Sequence, residues 1–289
     1  MLKVNLCKIL NTDKDHLIQK VHSFNKNKIK YPCYIQEKID GVYCIAYLMG
    51  NVVRIFSSTG REYLSMEHLK PELLDLMVKT VTVFCIFEAY IPNTSQEIIS
   101  GHCRDEKKQH TELIGMVHDL LTMNEYLGLD NTTYTDRLHR IVNEVRSYKY
   151  LDYPNTLGAV GFGFIETMYK RIVDDGGEGL VIKNPNAPYS KGKRNCNLIK
   201  WKRVETYDCE VIDIVEGDGK YDGMVGALLC VYKGKQFTVG SGLNDEQRKE
   251  WYENPKLIIG HIAEIKAMKV TKNGVLREPV FVSVRYDKE

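Results

Sequence analysis

Apolar residues in this chain fall mostly in short runs or alternations, and stretches with helical spacing are fewer. Residues 31–36, 42–48 and 52–57 have the β-branched and aromatic texture of consecutive strands, the last two joined by the turn-prone Met49-Gly50-Asn51. Residues 67–79 carry apolar positions at helical spacing, whereas 81–91 and 113–121 suit largely buried strands. Thr135 is placed to cap a helix over 136–145, and a helix over about 160–173 stops at Gly176-Gly177. Short strands at 179–183 and 198–203 flank a basic stretch.

Beyond residue 203 the texture changes. Five short strands are predicted at 210–216, 227–232, 235–240, 261–270 and 280–285, with one helix over about 245–253. That content suits a small Greek-key barrel of the OB type. The predicted fold is therefore α+β, with a larger domain over 1–204 and an OB-fold β-barrel over 205–289. A chain of 289 residues has ample length to bury both cores.

Composition adds little to this picture and charge distribution adds more. No apolar run reaches a membrane span, and the N-terminus lacks the long apolar core of a secretory signal. Eight cysteines show no C-x-x-C spacing and lie mostly in apolar runs, as buried reduced thiols of a cytoplasmic protein would. Net charge is only +2, yet residues 183–203 hold seven basic side chains and no acidic one. Such a stretch is either a solvated loop with neighbouring strands or a surface for a phosphate-rich partner.

The chemistry concentrates at Lys38-Ile39-Asp40-Gly41, directly after the apolar run at 31–35. A lysine at a strand end, over a turn that needs glycine, suggests a nucleophilic amine. The four-residue pattern alone is weak, arising by chance in roughly one chain of this size in twenty. To attack phosphorus the amine must shed its proton, which nearby cations or a bound metal promote. Lys200 and Lys202 alternate with Trp201, so on a strand they share a face. Glu88 and Glu178 sit in or beside apolar strands, where a carboxylate is costly unless it serves a ligand, a metal or an ion pair. The plainer readings are a structural arginine partner for Glu88 and a turn cap for Glu178.

The ordered series Lys38-Ile39-Asp40-Gly41, Phe87-Glu88-Ala89, His118-Asp119, Glu178-Gly179-Leu180-Val181-Ile182-Lys183, Lys200-Trp201-Lys202 and Arg285-Tyr286-Asp287-Lys288 resembles the motif set of covalent nucleotidyltransferases. Within them it most resembles ATP-dependent DNA ligases of the minimal two-domain viral and bacteriophage type, from about residue 30 onward. The resemblance implies a nucleotidyltransferase (adenylation) domain followed by the barrel, ATP and Mg2+ or Mn2+ as cofactors, nicked duplex DNA as partner, and a monomer acting in the cytoplasm. Lys38 would take AMP from ATP, with Asp40 fixing the turn. Gln36 would contact adenine, Glu88 the ribose, and His118 would occupy the position that stacks on the base. Glu178 would position the metal, and Lys183, Lys200 and Lys202 would face the phosphates. Arg285, Asp287 and Lys288 would orient the pyrophosphate in the first step. Lys191, Lys193 and Arg194 are expected on the DNA backbone.

Two departures stand out. Tyr43 and Ser58 occupy places where the family usually carries arginine. Arg54 or Arg61 could supply the charge, and Arg61, just past the turn, is the first candidate and joins Lys191, Lys193 and Arg194 as a residue expected on the nucleic acid. The competing readings are an RNA ligase or mRNA-capping guanylyltransferase on the same scaffold, and a non-catalytic nucleic-acid-binding module. An extra N-terminal module and cysteine-pair zinc ligands, as in NAD-dependent ligases, are not expected.

Overall fold

The computed structural model describes residues 3–271 and 273–288. The chain divides into two compact units, Met1–Lys202 and Arg203–Glu289, two residues earlier than the sequence suggests.

Two sheets build the first unit. The six-stranded sheet runs in the order Glu62–Tyr63, Val52–Ser57, Val42–Met49, Phe84–Tyr90, Ile114–Leu121, Leu151–Asp152. Its central strands are buried on both faces, so they form near-continuous apolar runs rather than alternations. Cys44, Ala46, Cys85 and Phe87 pack with Leu73, Leu76 and Ile99 from helices Lys70–Lys79 and Gln96–Arg104. Ile45, Phe84 and Ile86 turn to a second core with Leu17 and Tyr126.

The five-stranded sheet has the order Lys20–Ser23, Arg194–Lys202, Gly179–Lys183, Cys33–Glu37, Thr156–Ala159. Its outer face buries Ile35, Leu180, Ile182 and Ile199 against Ile165 of helix Phe162–Asp174. Trp201 is sandwiched there between Tyr169 and Phe24, with both ring centroids at 3.9 Å.

Three expectations change. The segment 183–203 is less of a loop than its charge suggests, because Arg194–Lys202 is a nine-residue strand paired with Gly179–Lys183 on one side and Lys20–Ser23 on the other. The helix expected from Thr135 starts earlier. Thr133 is its cap, accepting from the Asp136 amide while the Asp136 carboxylate accepts from the Thr133 amide, so the helix is Tyr134–Glu144. Residues 67–79 split into a tight 3-10 turn, Glu67–Leu69, and the helix Lys70–Lys79 with Pro71 in its first turn.

The second unit is the expected barrel. Its five strands are Glu205–Glu216, Val225–Tyr232, Lys235–Val239, Ile262–Ala267 and Val280–Val284, with helix Asp245–Glu253 between the third and fourth. A parallel bridge between Ser241 and Val280 joins the end of the third strand to the fifth, closing the ring. Val211, Leu228, Cys230 and Ile265 fill it, with Trp251 set edge-on to Phe281. Buried Arg248 donates to the carbonyls of Val225, Gly226 and Gly240, satisfying backbone groups that the barrel turns leave over.

All eight cysteines are free thiols and six are buried. No helix among the described residues is long and apolar enough to cross a membrane.

Candidate active site

Between the two sheets of the first unit lies a cavity of about 450 Å³, within the usual range for a small-molecule site. Two glycines set the backbone packing around Lys38. At Gly41 a Cβ would lie 2.5 Å from the Ala89 carbonyl oxygen and 2.8 Å from Glu88 Cγ, so only glycine lets the turn press onto strand Phe84–Tyr90. Gly179 has φ +130, and a Cβ there would meet the Trp201 carbonyl oxygen at 2.0 Å. The Gly179 carbonyl accepts from the Lys38 amide at 2.9 Å, which locks the nucleophile's backbone to the neighbouring strand.

Lys38 Nζ donates to Glu178 Oε2 at 2.7 Å, and Lys202 Nζ lies 3.6 Å from the other oxygen of that carboxylate. Burial alone pushes the Lys38 ammonium down, but Glu88, Glu178 and Asp40 together outweigh it, so its pKa lies above the ordinary lysine value. This corrects the expectation that neighbouring cations lower it. The nearest charges are carboxylates, and Lys202 spends its charge on Glu178. Glu178 is thus neither a turn cap nor alone: it is the buried counter-ion of two lysines.

Glu88 meets an imidazole where the plainer reading offered an arginine, with His118 Nε2 3.3 Å from its Oε2. Burial, assisted by the charges of Lys183 and Lys38, lowers the His118 pKa against the pull of Glu88. Lys183 also lines the cavity, but its Nζ turns to the Tyr134 hydroxyl at 2.8 Å and stands 4.3 Å over that ring. Burial brings its pKa down to about 7, Asp119 opposing and Arg137 assisting. Lys200 and Lys202 both line the cavity while Trp201 turns to the opposite face, as strand alternation requires.

Gln36 lies behind this wall. Its Nε2 donates to the Tyr134 hydroxyl at 3.1 Å and to Thr156 Oγ1 at 2.7 Å, while its buried Oε1 has no hydrogen-bond partner. An unsatisfied buried acceptor fits the amino group of a purine. A hard divalent ion fits Glu178, whose oxygens are of the donor type it prefers. Such an ion would be held there by a single protein carboxylate.

The remaining candidates lie elsewhere. Arg61 is exposed and paired with Glu106 at 2.8 Å, and Arg54 pairs with Glu62 at 3.1 Å. Neither lines the cavity, so neither replaces the missing arginines there; Tyr43 itself forms part of the wall. Arg194 lines the cavity and Lys193 is exposed. Lys191 is half-buried, its Nζ 4.9 Å from the Tyr126 ring centroid. In the second unit, Arg285 pairs with Asp287 at 2.8 Å and Asp208 at 3.3 Å, and Lys288 pairs with Asp208.

Sequence reasoning missed Tyr134 and Arg137, both in the wall. Arg137 clamps Asp119 with two bonds, 2.8 Å and 3.2 Å, and thereby ties helix Tyr134–Glu144 to strand Ile114–Leu121. The Thr133-x-x-Asp136 cap was the available signal: it makes Tyr134 and Arg137 the first and fourth helical residues, on one face.

Comparison with known proteins bears on the family and the fold. Residues 16–202 match the family model described as ATP dependent DNA ligase domain, and residues 216–285 match the DNA ligase OB-like domain. DNA ligase of Haemophilus influenzae is 38% identical over 98 residues, 34% of each chain. DNA ligase 2 of Methanosarcina acetivorans is 25% identical over 298 residues, covering 88% of this chain and 52% of its own. The chain thus spans about a third to a half of these relatives' length. Among solved structures, one from a structure–function study of Lig E DNA ligases superposes with TM-score 0.76 at 20% identity, covering 93% of this chain and 99% of its own. The ATP complex of bacteriophage T7 ligase does so with TM-score 0.57 at 17% identity, covering 94% and 99%. At such identities the superpositions speak for the fold. The matched domain model extends over well over half of the sequence, and the chain belongs to the ATP-dependent DNA ligase family.

Proposed function

We propose that this protein is an ATP-dependent DNA ligase that seals nicks in duplex DNA through a lysyl-AMP intermediate. The observation that carries it is Lys38 Nζ held 2.7 Å from buried Glu178 at a cavity that Glu88, His118, Lys200 and Lys202 also line. Lys38 Nζ, once deprotonated, attacks the α-phosphorus; the P–N bond forms as the P–O bond to pyrophosphate breaks. AMP then passes to the 5′-phosphate of the nick, breaking the P–N bond. The 3′-hydroxyl attacks that phosphate, loses its proton and expels AMP.

Because the resting carboxylates favour the protonated amine, Lys38 has to lose its proton and its bond to Glu178 before the first step. Mg2+ or Mn2+ on Glu178 would supply positive charge there and neutralise the phosphates. Lys200 and Lys202 stabilise charge that builds on the phosphate oxygens. His118 packs on the base and Glu88 accepts from the ribose. By the family resemblance, Arg285, Asp287 and Lys288 orient the pyrophosphate in the first step. Arg194 and Lys193 meet the DNA backbone, and the protein works as a monomer.

Intact-protein mass spectrometry after ATP and magnesium should show one AMP added, absent in Lys38→Ala. GTP should give no adduct, and nicked DNA should be sealed in preference to nicked RNA. A GTP adduct would move the assignment to capping chemistry. A folded wild-type protein that takes up no nucleotide would leave only a nucleic-acid-binding role.

A further inference from the structure

Outside the cavity, the described residues hold a cluster of side chains that the ligation reaction does not use. His102 stands in the last turn of helix Gln96–Arg104, and His110 and Glu112 lie on the loop that follows. Their ligand atoms all lie within 4.8 Å of one another. Glu112 Oε1 is 3.1 Å from His102 Nδ1 and 3.0 Å from His110 Nδ1. A tetrahedral zinc site with bonds of about 2.0–2.1 Å has ligand–ligand edges of about 3.3 Å, so two edges are nearly in place.

Two further features separate this cluster from an ordinary ion-pair group. His102 Nδ1 is buried and makes no hydrogen bond in spite of its 3.1 Å approach to Glu112, so the two atoms converge without bonding each other. The far nitrogen of His110, Nε2, lies 3.1 Å from Asp105 Oδ2. A carboxylate on the far nitrogen is the arrangement that orients metal-bound imidazoles. Asp105 is itself fixed, since its Oδ1 accepts from the amides of Lys107 and Lys108. His110 is buried, and its amide donates to the Ser65 carbonyl at 2.9 Å. Ser65 Oγ in turn donates to the Cys103 carbonyl, next to His102.

We propose that His102, His110 and Glu112 form a binding site for a borderline-soft divalent cation, zinc above all, separate from the nucleotide cavity. Two imidazoles and one carboxylate select zinc over magnesium, which takes oxygen donors in octahedral geometry. Three protein ligands leave a fourth position for water. The imidazoles stack at 4.0 Å, 13° from parallel, so binding turns the partly exposed His102 ring about its side-chain bonds to bring both lone pairs onto the ion. The site would pin helix Gln96–Arg104 to its following loop. That loop also carries Glu106, the partner of Arg61.

Cobalt(II) titration of the chelator-treated protein tests this. The expected result is one equivalent per chain with the intense visible bands of tetrahedral coordination, displaced by zinc. His102→Ala and Glu112→Gln should each weaken binding by more than about 100-fold, and Asp105→Asn by about 10–100-fold. Glu178→Gln, which alters the cavity, should leave the cobalt site unchanged. Zinc should raise the Tm of the wild type but not of Glu112→Gln. Glu112 is exposed, so that variant keeps the test intact if the histidine variants misfold. Absence of a saturable site, a pale octahedral spectrum, equal binding by the variants, or loss of the site in Glu178→Gln would overturn the proposal.

Discussion

Lys38, half-buried, and Lys183, buried, are amines in one cavity, yet their pKa values move in opposite directions. Lys38 has a direct carboxylate partner; Lys183 has a phenol and a carbonyl, with Asp119 already taken by Arg137. Lys183 therefore carries a pH signature. Its folded pKa of about 7 lies below the unfolded lysine value, so between the two the unfolded chain binds the extra proton and stability rises with pH. Below pH 7 both states are charged and the burial penalty is fully present. Nucleotide-free protein should therefore gain up to about 1.4 kcal/mol per pH unit from this group between pH 7 and 9. Lys183→Met should flatten that slope, read from denaturant midpoints. An identical slope in the variant would place the amine's titration elsewhere. The lysines themselves were legible in the sequence, whereas their charge states were not, because these depend on which acid faces which amine across the fold.

At the scale of elements, the turn over Lys38–Gly41 shows how backbone packing delivers chemistry. Gly41→Ala places a methyl 2.5 Å from the Ala89 carbonyl and must lift the turn from the strand that carries Glu88. The expected outcome is at least a tenfold slower self-adenylylation, about 1.4 kcal/mol of barrier, with Tm lowered only modestly. Adenylylation at the wild-type rate would mean the turn tolerates the shift. The elements that the sequence showed clearly were the apolar ones, such as Val42–Met49 and Phe84–Tyr90. Lys20–Ser23 was missed because Lys-Val-His-Ser carries one apolar residue, and it is a strand only because Arg194–Lys202 offers it an edge. The start of helix Tyr134–Glu144 slipped by two residues for a related reason: Thr133 and Thr135, two apart, compete for the cap, and Asp136 selects Thr133.

On the scale of the whole molecule, each unit has its own closed core, and the change of texture near residue 203 made that division visible. Charge was legible as a run but not as a surface. Of the four residues expected on DNA, Arg61 is engaged by Glu106 and Lys191 leans on Tyr126, which leaves Lys193 and Arg194 as the more available pair. Lys193→Ala with Arg194→Ala should weaken binding to nicked duplex and make log affinity against log salt shallower by about 0.9 for each phosphate no longer neutralised. Lys191→Ala should show mainly as reduced stability. An unaltered salt slope in the double variant would remove that strand end from the DNA surface.

The placement of the chain's two tryptophans has a practical sequel. Trp201 sits in a ring sandwich behind Lys200 and Lys202, and Trp251 lies inside the barrel beside Phe281. Each unit thus contains one tryptophan. With Trp251→Phe, emission excited selectively at tryptophan, to the red of tyrosine absorption, reports the layer beneath the catalytic lysines, and with Trp201→Phe the barrel interior, so the two halves can be watched melting separately without an attached dye.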